Sequence, residues 1–366
     1  MASRFRRLFG FQESGLVLIV LVLGMLLAAF SGSVRLPEFT RGPDGARRRV
    51  FETDALGNRV PAFAVRNKFL NAQNLAQLAK DTSFIAIMAV GMGIVIISGG
   101  IDLSVGAIYA LASVVGAIVL RHYGPEGPAI GIFLGAAAGL GTAVLCGLLN
   151  GGLIVALRVH PFIITLGAMA ILRGIAFVVT SGQSIGGFPA GFRQLVRYEV
   201  GDGLSLVPLA VMVLVMVAGW VFLSRLAAGR RVYAIGGNEM AARFSGIGVG
   251  RSKLGVYVLS GLTAGIAALL SLGYYGAATS GDGQGYELNV IAAAVVGGAS
   301  LTGGRGSAFG VVLGALIIQM ISSGIVLLGI DQNYSQIIIG AVVIAAVVLD
   351  NINTWLGRRR LSMTSP

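Results

Sequence analysis

Charged residues, cysteine and histidine are scarce in this chain of 366 residues. Only 11% of its residues are charged, whereas soluble proteins carry about 25%. This scarcity excludes a disordered chain, a coiled coil and almost every soluble enzyme of this size. The single cysteine, Cys146, excludes an intrachain disulfide and a thiolate metal cluster. The two histidines lie far apart in the sequence, so we predict no metal site and no cofactor.

Apolar residues and glycine are abundant instead. The chain is 55% hydrophobic, has a mean hydropathy of +0.86 and contains 56 glycines. Small residues allow close packing of helices in a bilayer. The sequence therefore predicts an all-α fold, a polytopic transmembrane helical bundle. The net charge of +12 comes from arginines between apolar runs, so it indicates membrane topology beside lipid and no nucleic-acid partner.

A membrane-spanning helix needs about 20 apolar residues. The sequence offers about ten such runs, near 14–31, 82–98, 105–120, 129–157, 162–180, 204–224, 254–274, 287–302, 307–328 and 334–350. The runs 82–98 and 287–302 are short, which predicts broken or re-entrant helices. We expect the stretch 71–80 to form an interfacial helix, and the first run to be a retained anchor.

Ten spans place both termini on one side, and the basic residues indicate that this side is cytoplasmic. The inner segments carry fourteen Lys and Arg, the short outer loops only three. The predicted segments are a cytoplasmic tail (1–13), a first span (14–31), a long charged external loop (32–81), a transmembrane core (82–353) with a large inner loop (225–253), and a basic cytoplasmic tail (354–366). The external loop has nine basic residues, contrary to the rule that basic residues concentrate on the cytoplasmic side. Either a long loop is translocated regardless of charge, which we favour, or the first span does not cross.

Two glycine-rich breaks interrupt the apolar runs, at Ser98–Gly106 and at Gly297–Gly310. Paired interruptions in two halves of a chain indicate a transport site. In the first break, Asp102 and Ser104 either line that site or cap the following helix. Arg173 lies within the fifth predicted span, where a charge is costly, so we expect it to face protein or water and to pair with a carboxylate or with helix carbonyls.

The inner loop 225–253 contains a predicted short helix. Asn238 is positioned to cap it and Gly246 to end it. Such a helix is either a solvated connector or a knob that fits a groove on a cytoplasmic partner.

Four motifs together resemble one known family. They are GGIDLSVG at 99–106, PFIITLGAMAILRG at 161–174, NEMAARFSGI at 238–247 and GQGYELNVIAAAVVGGASLTGG at 283–304. The chain resembles, over about 71–351, the permease subunits of bacterial ATP-binding-cassette importers for monosaccharides such as ribose, xylose, arabinose and galactose. The resemblance implies that the inner loop carries the helix that couples the permease to its ATPase. The coupling residues it implies are Glu239, Ala241, Ala242, Arg243 and Gly246.

The resemblance also implies a location and partners. It places the chain in the bacterial inner membrane, with cytoplasmic ATP-binding subunits, a periplasmic sugar-binding protein and a second permease subunit, either an identical copy or a paralogue. The chain departs from the family in its longer charged loop and at Asn289, where relatives commonly carry aspartate. That loop either modifies docking of the binding protein or only decorates the surface.

The sequence has no phosphate-binding loop, so we expect a transport subunit and no enzyme of its own. The predicted translocation path is lined by polar groups near the breaks: Asp102, Ser104, Gln284, Glu287 and Asn289. The alternative is an ion-coupled secondary carrier, which would use a buried carboxylate such as Asp102 or Glu287.

Overall fold

The computed structural model describes residues 11–41, 47–200 and 203–362. In these ranges the chain forms thirteen helices: α1 (Phe11–Phe30), α2 (Ala72–Ile97), α3 (Val105–Tyr123), α4 (Ala129–Leu157), α5 (Pro161–Thr180), α6 (Ala190–Val196), α7 (Leu206–Arg225), α8 (Ala227–Gly237), α9 (Glu239–Phe244), α10 (Val249–Tyr275), α11 (Tyr286–Val296), α12 (Ala308–Leu327) and α13 (Tyr334–Ser362). Short strands occur in two places: β1 (Ser33–Pro37), β2 (Phe39–Arg41), β3 (Arg47–Arg49), β4 (Phe51–Thr53), β5 (Arg59–Pro61) and β6 (Phe63–Asn67), then β7 (Glu199–Val200) and β8 (Leu204–Ser205).

Eight of the described helices are long and apolar enough to cross a membrane: α1, α2, α3, α4, α5, α7, α10 and α12. Two shorter apolar segments, Tyr286–Val296 and Tyr334–Val348, accompany them. The predicted polytopic helical membrane fold is therefore confirmed. The run 287–302 corresponds to α11, whose 11 residues extend only ~17 Å, too little to cross alone.

The second span is longer than its apolar run suggested. Helix α2 begins at Ala72, because the side chain of Asn71 accepts a hydrogen bond from the Asn74 N–H at 2.8 Å. The prediction of a short span at 82–98 preceded by a separate interfacial helix was wrong. Lys80, counted among the residues of the external loop, lies within α2 and is only 3% exposed.

Helix α2 occupies the centre of the bundle. Every residue from Ser83 to Ile97 is buried, and α10, α12, α7 and α11 pack around this helix. Small residues make such contacts close. A Cβ atom at Gly147 of α4 would overlap the carbonyl oxygen of Tyr257 in α10, and one at Gly261 would overlap the carbonyl oxygen of Ala143.

Candidate functional site

The first break joins the end of α2 to the start of α3. Gly99 has a φ of +80°, a conformation that favours glycine, and it ends the helix. The carbonyl oxygen of Ile101 then accepts hydrogen bonds from the hydroxyls of Thr165 (3.3 Å) and Tyr257 (3.3 Å). Side chains of α5 and α10 thus satisfy this irregular backbone, as non-helical backbone at membrane depth requires.

Asp102 is the centre of a buried polar network within this break. Its Oδ1 accepts from the backbone N–H (3.0 Å) and the hydroxyl (2.6 Å) of Ser104, and its Oδ2 accepts from the Ser260 hydroxyl (2.8 Å). Asn150 donates its Nδ2–H to the Ser104 Oγ at 2.7 Å. The network therefore ties the break to α4 and α10. All four side chains are buried, so Asp102 and Ser104 do not lie on an open surface in this conformation.

Ser104 is the residue before α3, but its side chain makes no capping bond to that helix. The capping alternative does not hold for the Ser104 hydroxyl, because that hydroxyl bonds Asp102 and Asn150 instead. Asp102 bonds only the N–H of Ser104 at this helix start.

A second irregular segment, residues 276–285, precedes the half-length helix α11. Arg173 of α5 holds it by donating from Nη1 to the carbonyl oxygens of Ser280 (2.8 Å) and Asp282 (2.6 Å). The Asp282 carboxylate accepts from the backbone N–H (2.9 Å) and the hydroxyl (2.6 Å) of Thr279. Arg173 thus faces protein as expected, but it pairs with backbone carbonyls of an irregular segment and not with those of a helix.

This second segment meets the start of α3. A Cβ atom at Gly106 would overlap the carbonyl oxygen of Gly283, and it would lie 2.5 Å from Oε2 of Glu287. The other carboxylate oxygen, Oε1, accepts from the Gly285 N–H at 3.2 Å. Oε2 is buried and has no hydrogen-bond partner among the described residues. The structure therefore brings Glu287 close to the first break.

The remaining predicted path residues are more accessible. Gln284 is exposed and Asn289 is half-buried, and neither touches the Asp102 network through a described hydrogen bond. The five predicted residues thus form two groups: Asp102 with Ser104 inside the bundle, and Gln284, Glu287 and Asn289 around the start of α11.

A charged and aromatic cluster near these groups was missed from the sequence. The Lys80 ammonium lies 3.0 Å from Oδ1 of Asp81 and 4.2 Å from the centre of the Tyr274 ring. It also donates to the Tyr275 hydroxyl at 3.4 Å. A desolvated cation over an aromatic ring is worth about 2 kcal/mol. The capping asparagine at Asn71 is the signal that could have placed Lys80 in a helix.

The inner loop folds as two short helices, α8 and α9. Asn238 caps α9 by accepting from the Ala241 N–H at 2.9 Å, and Gly246 follows it with a φ of +79°. Glu239 accepts from Lys253 (2.6 Å) and Arg243 (3.2 Å). The hydrogen bond from Lys253 lowers the pKa of the Glu239 carboxyl below its ordinary value.

The six residues of α9 have two different faces. Ala242 is buried against Ile235 and Val249, which attaches α9 to α8 and α10. On the other face Met240 is 68% exposed and Phe244 is 85% exposed. These two side chains were not among the predicted coupling residues, although their spacing of four residues places them side by side on a helix.

Helix α8 connects this loop to both glycine-rich breaks. A Cβ atom at Gly236 would overlap the carbonyl oxygen of Ile97, which ends α2. The same oxygen accepts a hydrogen bond from the Gly304 N–H at 2.8 Å, so both breaks meet beneath α8. The Tyr233 hydroxyl also donates to the carbonyl oxygen of Gly306 at 2.7 Å.

Comparison with known proteins now decides the family. Residues 74–347 match the family described as branched-chain amino acid transport system / permease component. The chain belongs to this permease family. It is 40% identical over 285 residues to the ribose import permease protein RbsC of Escherichia coli (strain K12), which covers 77% of this chain and 87% of that protein.

Two further relatives point the same way. Ribose import permease protein RbsC of Bacillus subtilis (strain 168) is 42% identical over 287 residues, 77% of this chain and 86% of that protein. The D-allose transport system permease protein AlsC of Escherichia coli (strain K12) is 37% identical over 288 residues, 78% of this chain and 85% of that protein. This permease is therefore a multi-pass membrane transport component, similar to the permease subunits of monosaccharide importers of the ATP-binding-cassette class.

Proposed function

We propose that this permease forms the translocation path of an ATP-driven importer for a simple sugar, delivered from outside by a periplasmic binding protein. Its similarity to ribose and D-allose permeases supports a sugar as the solute. The sequence contains no Walker phosphate-binding motif, so ATP hydrolysis is assigned to separate cytoplasmic subunits.

The single observation that carries this proposal is the packing of the inner loop on both breaks. Gly236 of α8 lies against the carbonyl of Ile97, and Gly304 donates its N–H to that same carbonyl. Backbone-to-backbone contact leaves no flexible side chain to absorb a displacement. A push on the inner loop therefore moves the end of α2 and the second break together.

We assign the surface that contacts the ATPase subunit to α9. Met240 and Phe244 are exposed apolar side chains on a short capped helix, a suitable knob for a groove on an ATPase subunit. The buried Ala242 attaches α9 to the bundle. The other predicted coupling residues form this helix or flank the two exposed side chains: Glu239, Ala241, Arg243 and Gly246.

The path itself is assigned to the polar groups at the start of α11. Gln284, Glu287 and Asn289 would contact the sugar weakly. Asp102 and Ser104 would act on the path by holding the first break, since their own side chains are buried. A second permease subunit, an identical copy or a paralogue, would close the other side.

Reconstitution into proteoliposomes tests this function. We expect sugar uptake only when the ATPase subunits, ATP and the binding protein are all present. Replacing Met240 and Phe244 together by alanine should abolish ATPase association and uptake. The matched control is Leu56→Ala, because Leu56 is 87% exposed but lies between α1 and α2, far from α9 in the sequence. Uptake by the permease alone, driven by an ion gradient, would instead support the ion-coupled carrier.

The orientation in the bacterial inner membrane, with both termini cytoplasmic, is tested by cysteine labelling. The native Cys146 is 5% exposed, so an added cysteine at Arg243 would be the reactive one. We expect a membrane-impermeant reagent to label it only from the inside of the cell. Labelling from outside would overturn the proposed orientation and the coupling role of α9.

A further inference from the structure

The segment between α1 and α2 contains a three-way β junction, here called the hairpin module, formed by the described residues 33–41 and 47–67. It lies outside the residues that match the permease family. Its three extended stretches are 33–41, 47–53 and 59–67, and each pairs with both of the others. A ring of backbone hydrogen bonds closes the centre: Glu38 N–H to Ala62 O, Val50 N–H to Glu38 O and Ala62 N–H to Val50 O, each 2.9 Å.

The module repeats every twelve residues. The three central residues Glu38, Val50 and Ala62 are each followed by phenylalanine: Phe39, Phe51 and Phe63. Cross-strand partners share a face of a sheet, and side chains alternate along a strand. Phe39 pairs with Arg49, Phe51 with Pro61 and Phe63 with Pro37, so this alternation places the three rings on one face. They are 42%, 47% and 50% exposed.

Among the described residues, the charged side chains on this aromatic face are all basic. Arg35 pairs with Val65 and Arg59 pairs with Thr53, which places both arginines beside Arg49 on the face of the phenylalanines. The Arg59 guanidinium lies 5.4 Å from the centre of the Phe51 ring, consistent with a shared face.

The acidic side chains among the described residues of the module lie elsewhere. Glu38 and Glu52 alternate to the opposite face, which also carries Arg48 and Arg66 and is therefore mixed in charge. Asp54 lies in a turn, where its Oδ1 accepts from the N–H groups of Leu56 (2.9 Å) and Asn58 (2.8 Å). The described acidic groups thus leave the aromatic face to the arginines.

Short, hydrogen-bonded tethers fix the module to two apolar helices. Asn67 donates its Nδ2–H to the carbonyl oxygen of Ala28, near the end of α1, at 2.7 Å. Lys68 N–H donates to Gly32 O at 3.0 Å, and Asn71 Nδ2–H donates to Lys68 O at 2.7 Å, just before α2 begins. The module is therefore held where these helices leave the membrane.

We propose that the aromatic face of the hairpin module binds the anionic headgroups of phospholipids at that membrane surface. The arginines would contact lipid phosphates while the three rings enter the interfacial layer. Aromatic and basic side chains are the types that occupy this layer. Because the tethers are only a few residues long, the module stays beside the lipid surface, and this position favours lipid over a soluble acidic protein as the partner of the aromatic face. The inference requires only that the chain is embedded in a membrane, and it stands apart from the proposed sugar transport.

Tryptophan fluorescence of the full chain in nanodiscs tests the proposal. In a background with Trp220 and Trp355 replaced by phenylalanine, Phe51→Trp reports on the aromatic face. Val60→Trp is the matched control, because Val60 is 37% exposed and lies on the opposite face. The nanodiscs contain phosphatidylcholine alone or with phosphatidylglycerol, in ordinary or brominated form.

We expect the emission of the Phe51→Trp protein to shift to the blue and to be quenched by brominated lipid when phosphatidylglycerol is present. High salt, or replacing both Arg49 and Arg59 by glutamine, should remove the shift. The Val60→Trp protein should respond to neither lipid. If Phe51→Trp disturbs the module, Phe63→Trp reports on the same face.

Equal emission from the two faces in every nanodisc would overturn the proposal. So would a blue shift that ignores phosphatidylglycerol and appears only when an acidic sugar-binding protein is added, because that result would assign the face to a protein partner.

Discussion

The contact of Gly236 with the end of α2 leads to a quantitative prediction. In Gly236→Ala the new methyl group would overlap the carbonyl oxygen of Ile97 and the backbone of Gly304. Those atoms cannot rotate away, so α8 must move. Overpacking of this kind costs about 1–3 kcal/mol. Since 1.4 kcal/mol is a factor of ten in an equilibrium, coupling between the inner loop and the breaks should fall roughly 5- to 150-fold.

The neighbouring glycine supplies the control. Gly237 lies in the same helix, but a Cβ atom there would meet nothing within 4 Å. Gly237→Ala should therefore be neutral or slightly stabilising, by up to about 1 kcal/mol from helix propensity. The assay is the ratio of sugar transported to ATP hydrolysed in proteoliposomes that contain the ATPase and binding protein. We expect Gly236→Ala to hydrolyse ATP while transporting little, and Gly237→Ala to match the native ratio.

A native ratio in Gly236→Ala, in a protein that assembles normally, would refute the role of this contact in coupling. A protein that fails to assemble would show that the contact is needed for folding, and Tyr233→Phe, which removes only the hydroxyl bonded to the Gly306 carbonyl, would then test the same connection.

Four further predictions concern the buried and the exposed charges. Ser260→Ala removes one hydrogen-bond donor from Asp102 and should lower the free energy of unfolding by about 1.5–3 kcal/mol, as for hydrogen bonds to charged groups; thermal unfolding in detergent measures this change. Asp102→Ala should lower transport more than it lowers expression. Equal losses of transport and expression would show that Asp102 has only a structural role. Lowering the pH below 4.5, the ordinary pKa of a glutamate such as Glu239, should loosen α9, because the depressed pKa of Glu239 stabilises the fold at higher pH and this stability is lost as the carboxylate protonates. Faster proteolysis of the inner loop would report the loosening, and Glu239→Gln should respond less to pH. An unchanged rate of proteolysis in the native protein would contradict this reasoning. Arg173→Met removes two hydrogen bonds to residues 276–285, so cysteines introduced in this segment should be labelled faster by a thiol reagent. Unchanged labelling would show that the segment keeps its conformation without Arg173.

The sequence predicted the membrane fold well because apolar runs of fixed length are a local property. It also located the cap and the end of α9, since Asn238 and Gly246 act within one turn. The short α11 was anticipated because its apolar run, 287–302, is shorter than a full span. The start of α2 was missed, because a Lys–Asp pair at 80–81 resembles a loop when its aromatic partners in α10 are unknown.

Long-range contacts explain the other misses. Ser104 resembled a capping residue, but its bond from Asn150 spans 46 positions of the chain. Two close contacts join segments that are distant in sequence: Gly106 with Glu287, and Gly236 with Ile97. Neither contact can be predicted from the local sequence pattern. The exposed pair Met240 and Phe244 was missed because apolar residues are expected to be buried unless their helix is known to face outward.

The central position of α2 constrains how any solute can travel. Its side chains from Ser83 to Ile97 fill the axis of the subunit, where a hole would otherwise have to be. In the proposed importer, the sugar would therefore pass along a flank of this subunit, and the proposed second permease subunit would form the other wall of the path. Opening and closing would then be a tilting of the two subunits against each other around their buried central helices.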